Sequence, residues 1–337
     1  MSAFATGTGL GSWPGISARQ AAEVVVGELG GGLAHLVELP ARGVGADLIG
    51  RAGALLVDIA IDTAARGYRL AARPGAVTRR AVSLLGEDTD ALEEAWEVAG
   101  LRGSGHPVKL HGPGPLTLAA ELELAGGHRA ITDPGALRDL AASLGEGLRV
   151  RRAELARRLD TTVLVQLDEP SLGAAVSGRL AGVTKLSPVP AIDEAVATGL
   201  LDDCADAVGA DVLVHSCASD VPWNVLQRSR IPAVAVDCTA MEAGDYDRIG
   251  AFIDSGRTVV LGLVPALAPA RRPSMEELAA AAAAITDRIG FARSVLAERV
   301  GISPVCGLAG ATPAWARTAV GLVRRAGEAL ADDPDAL

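Results

Sequence analysis

A chain of 337 residues, 49% of them hydrophobic, is long enough for one large barrel or two ordinary domains and can bury a sizeable core. Its net charge of −10 argues against nucleic acid as a partner, because the pairs Arg79-Arg80, Arg151-Arg152, Arg271-Arg272 and Arg324-Arg325 are scattered and no basic cluster offsets the charge. With no apolar run of about 18 residues, no basic-then-apolar start and four Cys that do not resemble a secreted disulfide framework, a cytoplasmic protein without a membrane partner is expected.

Read in chain order, short β-rich runs alternate with stretches of helical pattern. The candidate strands are residues 8–13, 33–39, 108–112, 162–168, 212–215, 233–237, 258–264 and 302–306. Between them, Ala/Leu/Glu/Arg-rich stretches such as 16–29, 134–158, 274–299 and 313–331 have the length and spacing of helices. Alternating βα units imply a parallel sheet covered by helices, and a count of eight favours an α/β (β/α)8 TIM barrel over an open sheet. Residues 40–107 leave room for extra helices between strands two and three. No Pro/Ser-rich linker divides the chain, so a single domain spanning 1–337 is expected.

Active sites of such barrels lie at the C-terminal ends of the strands. Ser12, Glu38, His111, Asp168, Glu169, His215, Cys217, Asp237 and Cys306 all fall there. His215 and Cys217 are two apart at the end of an apolar run, and residues i and i+2 of a strand share a face, as two metal ligands on one strand must. Cys306 and either Asp237 or Cys238 are candidates for the remaining ligands, since one imidazole, two thiolates and a further donor make a normal zinc set. A Cys at a strand end also serves as a small buried hydrophobe.

Leu10-Gly-Ser-Trp-Pro14, Val165-Gln-Leu-Asp-Glu-Pro170, Val214-His-Ser-Cys217 and Val305-Cys-Gly-Leu308 together resemble the C-terminal catalytic barrel of cobalamin-independent methionine synthase, in that family's order and over nearly the whole chain. The full-length enzyme carries a further N-terminal barrel, so in size this chain is closer to the short single-barrel relatives. The resemblance implies a homocysteine S-methyltransferase in which zinc holds the substrate sulfur as a thiolate. It makes His215, Cys217 and Cys306 ligands and places the family's carboxylate ligand on Asp237, with Cys238 the rival. It makes Leu10, Gly11 and Ser12 the segment that holds the amino-acid carboxylate, and Asp168 and Glu38 the acids that meet its ammonium. The competing readings are a strand-ending turn for Asp168-Glu169-Pro170 and a rim salt bridge for Glu38.

The departures are equally specific. The family's catalytic His segment is replaced by Gly262-Leu-Val-Pro-Ala-Leu267, its pterin-stacking Trp falls near Glu121, and a folate-contacting Glu is Ala174. These weaken folate as methyl donor and leave a methylated corrinoid or a small methylated compound. His111 is either a replacement proton donor or a buried, hydrogen-bonded imidazole, and Trp13 and Trp223 either line the mouth or fill the core. Two other functions stay open: a lyase like uroporphyrinogen decarboxylase, which needs no metal, and a non-catalytic barrel that binds zinc or a thiol amino acid.

Overall fold

Seven strands form one curled parallel sheet in the computed structural model, which describes residues 2–182, 188–239 and 241–337. In chain order the strands are β1 (Ala34–His35), β2 (Ala60–Ala64), β3 (Gly67–Ala71), β4 (Val108–Pro113), β5 (Leu122–Glu123), β6 (Val163–Asp168), β7 (Val212–Ser216), β8 (Ala233–Asp237), β9 (Thr258–Val264) and β10 (Val300–Pro304). The large sheet runs β1-β4-β6-β7-β8-β9-β10. Every neighbouring pair in it is parallel, so each step needs a crossover, and helices such as Pro134–Leu159, Glu194–Val208 and Met275–Ile289 supply them.

The N-terminal segment lies between the two edge strands. Gly7 bridges Ile302 beside β10, while Thr8 bridges Leu33 and Ser12 bridges Glu38 on the β1 side, all in parallel sense. Thr8 N donates to Ile302 O, and Thr8 Oγ1 donates to Leu33 O across the other edge. Two side chains pin it from beneath: Lys109 Nζ donates to Gly9 O at 2.6 Å, and Gln166 Nε2 donates to Leu10 O at 3.0 Å.

Alternation along the strands divides the side chains into two sets. Val165, Leu167, Val212, Val214, Val234 and Val236 join the core shared with the helices, whereas Phe4, Leu10, Leu33, Leu164, Leu213, Ala233, Ala235 and Val260 form a separate cluster on the inner face. The same inner parity carries polar groups on the β1-to-β7 side: His35, Lys109, His111, Gln166, Asp168 and His215 are all buried.

Several expected elements change form. The first two candidate strands contribute isolated bridges and the two residues of β1, because Gly7, Gly9 and Gly11 leave an irregular backbone there. Residues 40–107 hold the expected extra helices, Leu48–Ala52 and Ala76–Val98, and also an antiparallel hairpin, β2–β3, that was not expected. The stretch 274–299 is two helices, Met275–Ile289 and Ser294–Arg299, separated at Gly290, whose φ of +96° caps the first. Trp13 is buried in the core, and Trp223 is buried with its Nε1 donating to Asp245 Oδ1 at 3.1 Å. No helix among the described residues is long and apolar enough to cross a membrane.

Candidate metal and substrate site

β7 delivers His215 to the inner face, and Cys217 follows just beyond the strand; Cys306 stands two residues past β10. One nitrogen of His215 and the two sulfurs lie within 4.8 Å of one another, a group able to hold a metal ion. His215 Nδ1 lies 2.7 Å from Asp168 Oδ1. A carboxylate only accepts, so Nδ1 carries the proton and Nε2 keeps its lone pair. That Nε2 is buried with no hydrogen-bond partner among the described residues. A buried acceptor left empty costs about 1–3 kcal/mol, and an imidazole oriented by a carboxylate through its other nitrogen is the usual arrangement of a metal-ligating His.

The thiols of Cys217 and Cys306 are free and 2.7 Å apart, and either sulfur can be the donor. The hydrogen bond from Cys217 lowers Cys306 to about 6, and the same contact, with burial, raises Cys217. Thiols held together in this way lose their protons when they ligate a cation.

Asp237 and Cys238 stand outside this group. Asp237 Oδ1 accepts from Thr239 N at 2.8 Å and Thr239 Oγ1 at 2.7 Å, and the residue borders a pocket of about 70 Å³ with Cys217 and Trp223. Cys238 points the other way, against the outer core, with its Sγ 3.6 Å from Val236 O, and burial pushes its thiol up to about 12.

A cleft of about 250 Å³ opens over the ligand group, lined by Leu10, Ser12, Glu38, Leu48, His111, Asp168, Pro170, His215, Cys217, Cys306 and Gly307. Gly11 sits among them on the N-terminal segment, its carbonyl accepting from Glu38 N at 3.0 Å. Ser12 is held against the Cys306 loop, since Leu308 N donates to Ser12 O at 3.0 Å and a Cβ on Gly307 would lie 2.0 Å from Ser12 Oγ.

Asp168 is a hub rather than a free acid. Gln166 Nε2 donates to Oδ1 at 2.7 Å and His111 Nδ1 lies 3.1 Å from Oδ2, besides the bond to His215. Burial works to raise its pKa, but the bonds from His111 and His215 outweigh that and hold the carboxyl well below the ordinary range. Glu38 is buried, not on the rim. Burial raises it to about 8 against the pull of Arg51, and its Oε2 has no partner among the described residues. Glu169 is turned away from solvent too: its oxygens accept from Leu116 N, Thr117 N and Thr117 Oγ1 at 2.9, 2.8 and 2.6 Å, which caps helix Pro115–Glu121.

Sequence reasoning missed the supports of the site. Beneath Glu38, Arg51 Nη1 donates to Val37 O and Asp88 Oδ2, and Arg42 Nη2 donates to Asp88 Oδ1, all at 2.6–2.8 Å. Lys109 and Gln166 carried a usable signal, since each precedes a candidate residue by two on one strand face. At the positions that depart from the resembled pattern, Glu121 pairs with Arg129 at 3.6 Å, Ala174 lies in helix Leu172–Val176, and Pro265 O accepts from Trp315 Nε1 at 3.0 Å.

Residues 4–329 match the family model described as the catalytic domain of cobalamin-independent synthase. Among solved structures, a B12-independent methionine synthase from Shewanella sp. W3-18-1 in complex with selenomethionine superposes with a TM-score of 0.51 at 16% identity, over 72% of this chain and 68% of that one. A putative vitamin-B12 independent methionine synthase from Listeria monocytogenes matches at 16% identity and a TM-score of 0.45, over 73% and 68% of the two chains. No curated protein matches the chain by sequence. Cobalamin-independent methionine synthases are methyltransferases of methionine biosynthesis, and with nearly its whole length matched this chain belongs to the family of their catalytic domain.

Proposed function

We propose that this chain is a zinc-dependent thiol S-methyltransferase that takes homocysteine or a close thiol amino acid, working as one closed (β/α)8 barrel of the cytoplasm. The observation that carries the reading is the group His215, Cys217 and Cys306, with the His215 tautomer set by Asp168 and the whole group facing the 250 Å³ cleft. Two thiolates and a neutral imidazole nitrogen suit zinc. Zinc, when bound, would lower the pKa of a substrate thiol. We assign Asp237 as the further carboxylate ligand: it has the inward parity of Ala233 and Ala235 and borders Cys217, and both bonds from Thr239 go to Oδ1. Bridges from the N-terminal segment to both sheet edges support barrel closure. Thiols that must stay reduced to bind metal fit a reducing compartment.

Leu10, Gly11 and Ser12 hold the substrate carboxylate in this reading. Glu38, with its free oxygen, meets the ammonium, and Asp168 frames the other side of the amine while orienting both imidazoles. The thiol sulfur bonds to the donor's methyl carbon as the carbon's bond to its leaving group breaks. The donor we favour is one whose leaving group needs no proton, such as a methylated corrinoid, because Val264-Pro265 bring no acid to the end of β9. A decarboxylase has no use for two thiolates and an imidazole, which separates that reading. Metal analysis of purified protein, then homocysteine calorimetry with and without zinc, tests the proposal: a metal-free protein that binds homocysteine equally well with and without added zinc would sink it.

A further inference from the structure

A thiol entering the cleft brings a proton with it, since a free thiol with a pKa of about 8.5 is mostly protonated at neutral pH. The described groups around the cleft offer few places to put that proton. Asp168 is a carboxylate already filled by donors from three side chains. Glu38 is driven toward its neutral form by burial. His215 Nε2 and the two Cys sulfurs belong to the ligand group.

His111 is left. Its Nδ1 faces Asp168 Oδ2 at 3.1 Å, so in the neutral ring the proton sits on Nδ1 and the lone pair on Nε2. That Nε2 is buried, has no partner among the described residues and belongs to a residue lining the cleft. The seat for the ring is built into the backbone. Gly11 has φ +104°, and a Cβ on it would lie 2.3 Å from His111 Nε2 and 2.5 Å from Cε1, so only glycine leaves room. Asp168 below the ring stabilises a positive charge on it, as the acid of a serine-protease triad does for its imidazole. Around the ring stand Asp168 of β6, Lys109 of β4, His35 of β1 and Arg51 of the Leu48–Ala52 helix; burial and the basic neighbours keep it neutral in the resting site.

We propose that His111 is the general base of the site: its Nε2 takes the thiol proton as the sulfur settles beside Cys217 and Cys306. The S–H bond breaks, the electron pair stays on sulfur, the N–H bond forms on Nε2, and the resulting imidazolium rests on Asp168. This rests on the thiol-amino-acid reading of the cleft, and the test separates the two.

The readout is protons released per ligand bound, from calorimetry of the zinc-loaded protein at pH 7 in buffers of different ionisation enthalpy. Homocysteine is compared with methionine, which has the same ammonium and carboxylate but no thiol proton. Wild type should release about the same number for both, because the proton stays on His111. In His111→Asn the amide nitrogen still bonds Asp168 but nothing replaces Nε2. There homocysteine should release about one proton more than methionine, with the zinc content of wild type. His111→Gln should give the same excess and guards against one variant misfolding. An excess of about one proton in wild type itself overturns the proposal and leaves the function standing. Wild type that binds neither zinc nor homocysteine overturns both.

Discussion

Replacing Gly11 with Ala tests how tightly the N-terminal segment is fitted to His111. Two costs add. A non-glycine residue in the left-handed region costs roughly 1–2 kcal/mol, and Gly11 has φ +104°. The new Cβ would also lie 2.3–2.6 Å from three atoms of the His111 ring, which is buried and tied to Asp168, so something must shift at roughly 1–3 kcal/mol. Together Gly11→Ala should destabilise by about 2–5 kcal/mol. Gly15 is the internal control, because its φ is +87° but nothing lies within 4 Å of an added Cβ. Gly15→Ala should therefore cost only about 1–2 kcal/mol. Urea or guanidinium midpoints at constant m-value give both numbers. Introducing His111→Ala as well should cancel the excess, a coupling of about 1–3 kcal/mol in a double-mutant cycle. If the two glycine variants cost the same, His111 does not occupy the place described, and the seat argued for its ring collapses.

Purified protein should carry about one zinc, and Cys217→Ser should lose most of it while far-ultraviolet circular dichroism stays unchanged; retention of full zinc would remove Cys217 from the ligand set. Cys238→Ala should leave zinc affinity untouched, whereas Asp237→Ala should weaken it in a chelator competition, and the reverse order would mean the assigned β8 register is wrong. Methylcobalamin should methylate homocysteine faster than methyltetrahydrofolate, because an absent general acid costs the folate route about 10²–10⁴-fold; equal rates would require an acid elsewhere, with His111 the first to substitute. Glu38 rises from 4.5 to about 8 on burial, so the folded protein holds a proton that the unfolded chain has released. Its contribution to stability is full below pH 4.5 and declines as pH rises toward 8. Glu38→Gln should flatten that decline in melts across the range, and an unchanged slope would show that Glu38 is ionised in the fold.

The sequence announces the residues that do chemistry more clearly than the ones that hold them. Strands β6 to β9 were legible almost to the residue because each is a short apolar run rich in Val and buried on both faces, and β6, β7 and β8 end in a polar group. The first strand was blurred by glycines, which carry no alternation to read. The β2–β3 hairpin escaped because Ala60-Ile-Asp-Thr-Ala64 is too short and too mixed to betray a period. Within the site, the His-x-Cys spacing and the distant Cys306 pointed to one cluster, and the structure brings those three together. The bond from His215 to Asp168, 47 residues away, had no sequence signature, since it depends on which strands are neighbours. The role of Asp168 as an acceptor for two imidazoles, in addition to the substrate contact expected of it, is visible only in three dimensions.

The placement of the N-terminal segment has a consequence for how the protein is made. Leu10 and Ser12 line the cleft, yet the segment that presents them pairs on one side with Ile302. Thr8 N to Ile302 O is a contact that cannot form until the segment around Ile302 has left the ribosome. Thr8 thus waits for a partner made long after it, and pairings of such long sequence separation are slow. Until then the apolar inner surface of Leu164, Leu213 and Val260 lacks the cover of Phe4 and Leu10. A nascent chain of this kind spends its synthesis with an open seam, and a chaperone that shields unpaired strand edges would act there.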